Sequence, residues 1–186
     1  MILAVCLALG ILLRLAAGHS FAQLAHVRLR GEALLLGFLC VQAVLPLVRL
    51  TGTAARFAFW LWIATFPVLI AIAWRNRAHH GMAVVALGLL LNLLVVSING
   101  GMPVMGAAAA AAGLQGQLVL PIGDFVHVVG TAATRLPWLA DVIPLPGPVW
   151  ARFVPSAGDL LLYAGVVAFL AAVKPSADGD KFVGSR

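Results

Sequence analysis

The sequence predicts an all-α membrane protein, a bundle of about five transmembrane helices with an apolar extracytoplasmic lid or re-entrant segment. Of its 186 residues, 63% are hydrophobic and only 10% are charged, a balance far from that of a soluble globular domain. The apolar residues fall in long runs that end at charged, glycine or proline residues, and a crossing of the hydrocarbon core needs about 20 residues. We therefore expect residues 1–175 to form one integral membrane domain.

Five apolar segments are the predicted crossings: residues 2–17, 33–48, 57–74, 82–98 and 158–173. Arg49–Arg56 and Arg75–His80 are predicted turns. The fourth crossing is predicted to end at Asn99–Pro103, because Asn and Gly are good C-caps and Pro does not continue a helix. Ser156 as N-cap and Asp159 three residues later predict a capping box at the start of the last crossing.

The first crossing is expected to be an uncleaved helix. A secretory signal begins with positive residues, whereas here Arg14 follows the apolar run. A cleaved signal is the alternative. Cys6 and Cys40 both fall inside apolar segments, and we interpret them as small buried hydrophobic residues rather than as a disulfide.

The distribution of Lys and Arg predicts that the N-terminus lies outside and the C-terminus in the cytoplasm. Of the 12 basic residues, two thirds fall on the predicted inner side. The inner residues are Arg14, Arg28, Arg30, Arg75, Arg77, Lys174, Lys181 and Arg186, and the outer ones are Arg49, Arg56, Arg135 and Arg152. Because none of them forms a patch with interleaved aromatic residues, no nucleic-acid partner is expected.

The ends of the chain's crossings carry two further signals. Trp60, Trp62 and Trp74 lie near the ends of the third crossing, where tryptophan anchors a helix at the membrane interface. Residues 176–186 are polar and are expected to be a disordered cytoplasmic tail.

The segment 104–155 is the least ordinary part of the sequence. It is too apolar for a solvated loop, yet Gly, Pro and Asp interrupt each stretch before it could cross a bilayer. Non-helical backbone near membrane depth is tolerated where protein covers it or where it faces a wet cavity. This segment is therefore predicted to be the lid over the outer helix ends, with a short helix at Ala107–Ala112.

Polar residues gather in the predicted outer half and form the candidate site. The candidate ligand-binding residues are Asn99, Gly100, Gly101, Asp124, Asp141 and Ser156, and the candidate catalytic residues are His127 and Asp159. Asp124 and His127 are three residues apart, which on a helix would hold the imidazole in one tautomer. Gly100 and Gly101 exceed what a C-cap needs, so an anion-binding nest of backbone N–H groups is an alternative there.

Each candidate also has a structural explanation. Asn99 is a natural C-cap, Ser156 and Asp159 fit a helix start, and a histidine in apolar surroundings is commonly a hydrogen-bonded structural residue. A hydrolase triad of Ser156, His127 and Asp159 is not indicated, because no G-x-S-x-G sequence surrounds Ser156. The acids and His127 lack the spacing of metal ligands, and no cofactor is indicated.

The order of motifs in the second half resembles an uncharacterised family of small bacterial membrane proteins, a domain of unknown function. The motifs are Asn99–Val104 (NGGMPV), His127, Asp141–Pro146 (DxxPxP) and Ser156–Asp159 (SxGD). The resemblance implies about five membrane helices in a bacterial inner membrane. It carries no established activity.

Two classes of function follow. The first is a binding or structural component whose outer-facing polar cavity holds a lipid, a lipophilic small molecule or a partner helix of another membrane protein. The second is a membrane-embedded enzyme that acts on a lipid-linked substrate, with Asp159 and His127 as an acid/base pair. The first is favoured, because every candidate catalytic residue has a capping or turn explanation.

Overall fold

Helices make up most of the fold. A computed structural model describes residues 2–114, 124–148 and 152–172, and the predicted tail 176–186 lies outside them. The α-helices of these residues are α1 (Ile2–Ala16), α2 (Glu32–Val44), α3 (Gly52–Arg75), α4 (Met82–Asn99), α5 (Gly106–Ala111) and α6 (Ala157–Ala172). Short 3-10 helices cover Phe21–His26, Leu45–Leu47 and Pro137–Leu139.

The five predicted segments coincide with helices, with two corrections to their ends. α3 begins at Gly52, so the turn predicted for residues 49–56 is wrong in its second half. Ala54 and Ala55 favour a helix there. α2 ends at Val44 and a 3-10 turn containing Pro46 follows, because proline lacks the N–H that a continuing α-helix requires.

Two of the described helices, α3 and α4, are long and apolar enough to cross a membrane. The apolar stretches Val5–Ala16, Glu32–Leu47 and Ala157–Ala172 are shorter. The two long helices suggest an association with a membrane, and the five-crossing bundle stays a prediction.

α2 and α3 run in opposite directions. The backbone at Arg30, just before α2, contacts Asn76 at the end of α3, whereas Gln42 near the end of α2 reaches Trp62 and Thr65. α3 and α4 pack together as a hairpin across a short loop. α6 then packs against both α4 and α1.

Glycines bring α4 and α6 into close contact. A Cβ atom at Gly88 would lie 2.6 Å from the carbonyl oxygen of Gly158, and one at Gly165 would lie 2.8 Å from that of Gly81. Small residues at a helix interface let the two backbones approach one another. The first turn of α6 is therefore held against the middle of α4.

Arg14 ties α1 to α6. Its guanidinium donates hydrogen bonds to the carbonyl oxygens of Ser20 and Leu170 and to Oε1 of Gln23. The side chain is fully buried, so besides being a topology signal it holds the helix ends together. A cation suits this position, because the last carbonyls of a helix carry partial negative charge.

The main core lies between α3, α4 and the lid. Trp62, Phe66 and Leu69 of α3 pack there with residues of α4 and with Phe125 and Val126 of the lid. The interfacial role predicted for Trp62 is therefore wrong, since the residue is 7% exposed. Trp60 and Trp74 are exposed, as an interfacial anchor would be.

The lid contains a small parallel sheet, which corrects the purely α-helical prediction. β1 (Met102–Val104) pairs with β2 (His127–Val129), with Met102 opposite His127 and Val104 opposite Val129. Pro103 fixes an extended φ and the β-branched valines favour a pleated backbone. α5 confirms the short helix expected from the alanine run.

A candidate site in two cavities

β1 places two of the candidate residues on either side of one strand. His127 is the first residue of β2, and Asp141 pairs with the opposite edge of β1 at Val104. The Asp141 N–H donates to the carbonyl oxygen of Pro103 at 2.9 Å, and the Met105 N–H donates to the carbonyl oxygen of Asp141 at 3.1 Å. Three segments far apart in the sequence thus carry His127 and Asp141 to one place.

Asp124 orients His127. Its Oδ1 accepts the backbone N–H groups of Val126 and His127, and its Oδ2 lies 3.0 Å from Nδ1 of the imidazole. The predicted pairing is confirmed, but an Asx turn leading into β2 makes it rather than a helical face. Nε2 is left as the imidazole nitrogen available to another molecule.

The same contacts set the charge of Asp124. Burial alone would raise the pKa of this carboxyl. The hydrogen bonds from the His127 side chain and backbone, together with the charge of the imidazole, more than offset burial and hold the pKa below its ordinary value. Asp124 is therefore an anion at neutral pH.

Ser156 and Asp159 form the predicted capping box. The Asp159 N–H donates to Ser156 Oγ at 3.0 Å, and the Ser156 N–H donates to Asp159 Oδ2 at 3.1 Å. Asn92 of α4 joins them, since its Nδ2 donates to Asp159 Oδ1 at 2.7 Å and its Oδ1 accepts the Ser156 hydroxyl at 2.9 Å. Because the hydroxyl proton of Ser156 is directed to Asn92 rather than to a base, these contacts do not build a hydrolase triad.

Two cavities adjoin these residues, and His127, Asp141 and Asp159 line both. The deep cavity, about 240 Å³, lies among α3, α4 and the lid and is also lined by Trp62 and Asn92. The lid cavity, about 400 Å³, is lined in addition by lid residues and by α6. The structure therefore brings three of the predicted site residues together around common space.

The deep cavity holds two polar groups without partners. Among the described residues, the buried side-chain atoms that lack a hydrogen bond are Trp62 Nε1 and Asp141 Oδ1. Both residues line this cavity. A buried polar group without a partner costs about 1–3 kcal/mol, so these two atoms mark a place where an occupant with hydrogen-bonding groups is favoured.

The pKa of Asp141 favours the protonated carboxyl at neutral pH. Burial raises the pKa of its carboxyl to about 8, and the negative charge of Asp159 adds to the increase. The protonated carboxyl is a hydrogen-bond donor, as is the indole N–H of Trp62. The deep cavity therefore presents donors on two sides.

The structure does not bring Asn99, Gly100 or Gly101 to either cavity. Asn99 clamps the lid through the backbone N–H and C=O of Arg135, and Gly100, with φ of 70°, is the C-cap of α4. A Cβ at Gly101 would lie 2.7 Å from Val128 Cγ1, so this glycine permits the close approach of β2. These positions have structural roles, and an anion-binding role for them stays a prediction.

Sequence reasoning missed Trp62 and Asn92 as members of the site. Asn92 carried a usable signal, since a polar side chain inside an apolar helix is costly and usually has a partner or a function. Trp62 carried a misleading one, because its position near a helix end suggested the interface. Within the described residues, no three His, Cys, Asp or Glu side chains are grouped to hold a metal ion.

Comparison with known proteins identifies relatives but no activity. A model of a family of unknown function, DUF5317, matches residues 26–171. An uncharacterised protein of Thermotoga maritima is 36% identical over 115 residues, which cover 60% of this chain. The match spans 62% of that protein's length. No solved structure matches the chain.

Proposed function

The chain belongs to DUF5317, a family of unknown function, and from its outer cavities we propose that it is a multi-pass inner-membrane protein that binds a lipophilic molecule. The head of this molecule carries acceptor oxygens, such as the carbonyl groups of a quinone or an ester, and lies in the deep cavity. The observation that carries the proposal is the pair of unpartnered buried polar atoms, Trp62 Nε1 and Asp141 Oδ1, on two residues that line one cavity.

Exposed apolar side chains support the membrane setting. Leu12, Leu36 and Phe57 are 63%, 64% and 73% exposed, and many other large apolar side chains of α1, α2 and α3 are exposed as well. So many exposed large apolar side chains are unusual on a soluble monomer, whereas in a bilayer they contact acyl chains.

The charge distribution supports the proposed orientation. The Arg14 side chain of α1 contacts the end of α6, and Asn76 joins the loops that carry Arg30 and Arg77. These basic residues therefore share one end of the bundle. The site lies at the other end, near the start of α6. With the basic end in the cytoplasm, the cavities face the outer side of the inner membrane.

Trp62→Phe tests the binding function. The substitution replaces the indole by a smaller aromatic ring without the N–H donor, and we expect an approximately five- to tenfold weaker affinity, since one hydrogen bond contributes about 1 kcal/mol. The measurement is native mass spectrometry of the detergent-purified chain, both as isolated and titrated with decylubiquinone. Trp138→Phe is the matched control, because Trp138 is 65% exposed in the lid.

Two results would count against this function. One is a wild-type chain that retains no lipophilic molecule and does not take up the quinone. The other is an equal loss of affinity in Trp62→Phe and Trp138→Phe, which would mean that binding does not depend on the deep cavity.

A second function, an enzyme acting on a lipid-linked substrate, has its own supporting observation. His127 is oriented by Asp124, and a protonated Asp141 lies beside the same cavities. Asp159, predicted as the acid, has hydrogen bonds to both of its oxygens. Asp141 is therefore the better proton donor and His127 the base. The two functions differ in what happens to the bound lipophilic molecule. An enzyme would release it with an altered mass, whereas a binding protein would release it unchanged.

A further inference from the structure

A third cavity lies at the opposite, basic end of the bundle, about 510 Å³ in volume. It forms between the loop before α2 and the loop that joins α3 to α4. Its lining includes four arginines, one histidine and one asparagine: Arg28, Arg30, Arg75, Arg77, His79 and Asn76. None of the described residues that line it is acidic.

The two loops are held together by one buried side chain. Oδ1 of Asn76 accepts the Arg30 N–H at 2.9 Å, and Nδ2 donates to the carbonyl oxygens of Arg30 at 3.0 Å and Ile72 at 2.8 Å. Asn76 is 3% exposed. The arginines therefore project from a connected backbone rather than from two independent loops.

The cavity carries an excess of positive charge. Arg28 forms an exposed ion pair with Glu32 at 3.4 Å, whereas no acidic side chain of the described residues forms an ion pair with Arg30, Arg75 or Arg77. Guanidinium groups bind phosphate in a bidentate way, and several arginines around one cavity suit a phosphate anion.

Apolar surface surrounds this basic cavity. Trp74, at the end of α3, is 55% exposed, and the Arg77 guanidinium lies 5.0 Å from the centre of its ring. No residue of α2 is buried, and Leu34 and Leu36 in its first turns are 58% and 64% exposed. Tryptophan and arginine at a helix end mark the membrane interface, where a phosphate and its acyl chains meet.

We infer that this cavity binds the phosphodiester head group of an anionic phospholipid of the inner leaflet, with the acyl chains along the exposed face of α2. The inference requires the membrane setting proposed above but not the outer ligand. It assigns the arginines a specific lipid contact in addition to their effect on topology.

The test is native mass spectrometry of the full chain in detergent, titrated with dioleoylphosphatidylglycerol and, separately, with dioleoylphosphatidylcholine. We expect wild-type protein to prefer the anionic lipid at least tenfold. Arg30→Gln combined with Arg75→Gln should weaken binding of the anionic lipid about 30-fold, because each basic residue near a membrane surface contributes about 1 kcal/mol. The matched control is Arg49→Gln with Arg56→Gln, which removes the same charge at the other end of α3.

Three outcomes would overturn the inference. The first is equal affinity of wild-type protein for the two lipids, and the second is an equal loss of lipid affinity in the two double variants. The third is displacement of the lipid by about 10 mM inorganic phosphate, a concentration that fills a weak ion site. The last would mean that the cavity takes a free ion. The lipid comparison on wild-type protein decides the matter even if the double variant misfolds. A chain recovered in buffer without detergent would instead overturn the membrane setting itself.

Discussion

Asp141 is a residue that the local sequence marks as a candidate but whose contacts the local sequence does not specify. The D-x-x-P-x-P motif identified it as a candidate, but its neighbours could not be predicted, because they come from β1 and α6. Ser156 and Asp159 were predictable in detail, since a capping box forms within four residues. Asn92 completes that box from 64 residues away, and no local pattern specifies such a contact.

The raised pKa of Asp141 predicts a pH dependence of stability. The folded state keeps this carboxyl protonated up to about pH 8, whereas in the unfolded chain it ionises near its ordinary value. Folding then binds a proton in this interval, so the free energy of unfolding should fall as the pH rises from about 4 to about 8.

The check is the thermal unfolding midpoint in detergent between pH 5 and 9 for wild type and Asp141→Asn. The neutral amide should remove this decrease. Asp124 does not confuse the result, because its lowered pKa acts at acid pH, below this range. A wild-type midpoint that stays level while that of Asp141→Asn falls would contradict the assignment.

Among the elements, the helices were predictable and the strands were not. Long apolar runs identify helices because burial or lipid contact persists over many turns. β1 and β2 have three residues each, too few for an alternating pattern to emerge, and their pairing depends on the close approach at Gly101. The glycines between α4 and α6 could likewise be seen in the sequence, but the sequence did not indicate which helix each of them contacts.

Gly88→Ala should destabilise the protein through the α4–α6 contact. The added methyl group would lie 2.6 Å from the Gly158 carbonyl oxygen, and overpacking of this kind costs about 1–3 kcal/mol. Gly37→Ala is the control, because nothing lies within 4 Å of that position and alanine is the better helix former. Thermal unfolding followed by circular dichroism should show a lower midpoint for Gly88→Ala and an unchanged or higher one for Gly37→Ala. Equal midpoints would mean that the two helices separate without cost.

In the molecule as a whole, the sequence predicts an architecture whose helix order the structure reproduces. α1, α2, α3, α4 and α6 each fall on a predicted crossing, and the basic loops share one end. Two of the described helices have the length of a membrane span, and three other apolar stretches are shorter. Short helices cross a bilayer only when the membrane thins or flanking side chains extend to the interface.

The orientation predicts which loops a membrane-impermeant reagent reaches. In a background that lacks Cys6 and Cys40, Ala132→Cys in the lid should react with a sulfonated maleimide in intact cells. Ala78→Cys, in the loop between α3 and α4, should react only after the inner membrane is opened. Both positions are exposed, so access rather than burial decides the labelling. The reverse labelling would mean that the protein has the opposite orientation in the membrane.

The clamp at Asn76 has a consequence for solvent exchange. The Arg30 amide belongs to an exposed loop residue, yet its hydrogen is bonded to a carboxamide that water hardly reaches. That single hydrogen should exchange with deuterium far more slowly than its neighbours do. Its rate then reports how often the end of α3 parts from the loop that precedes α2.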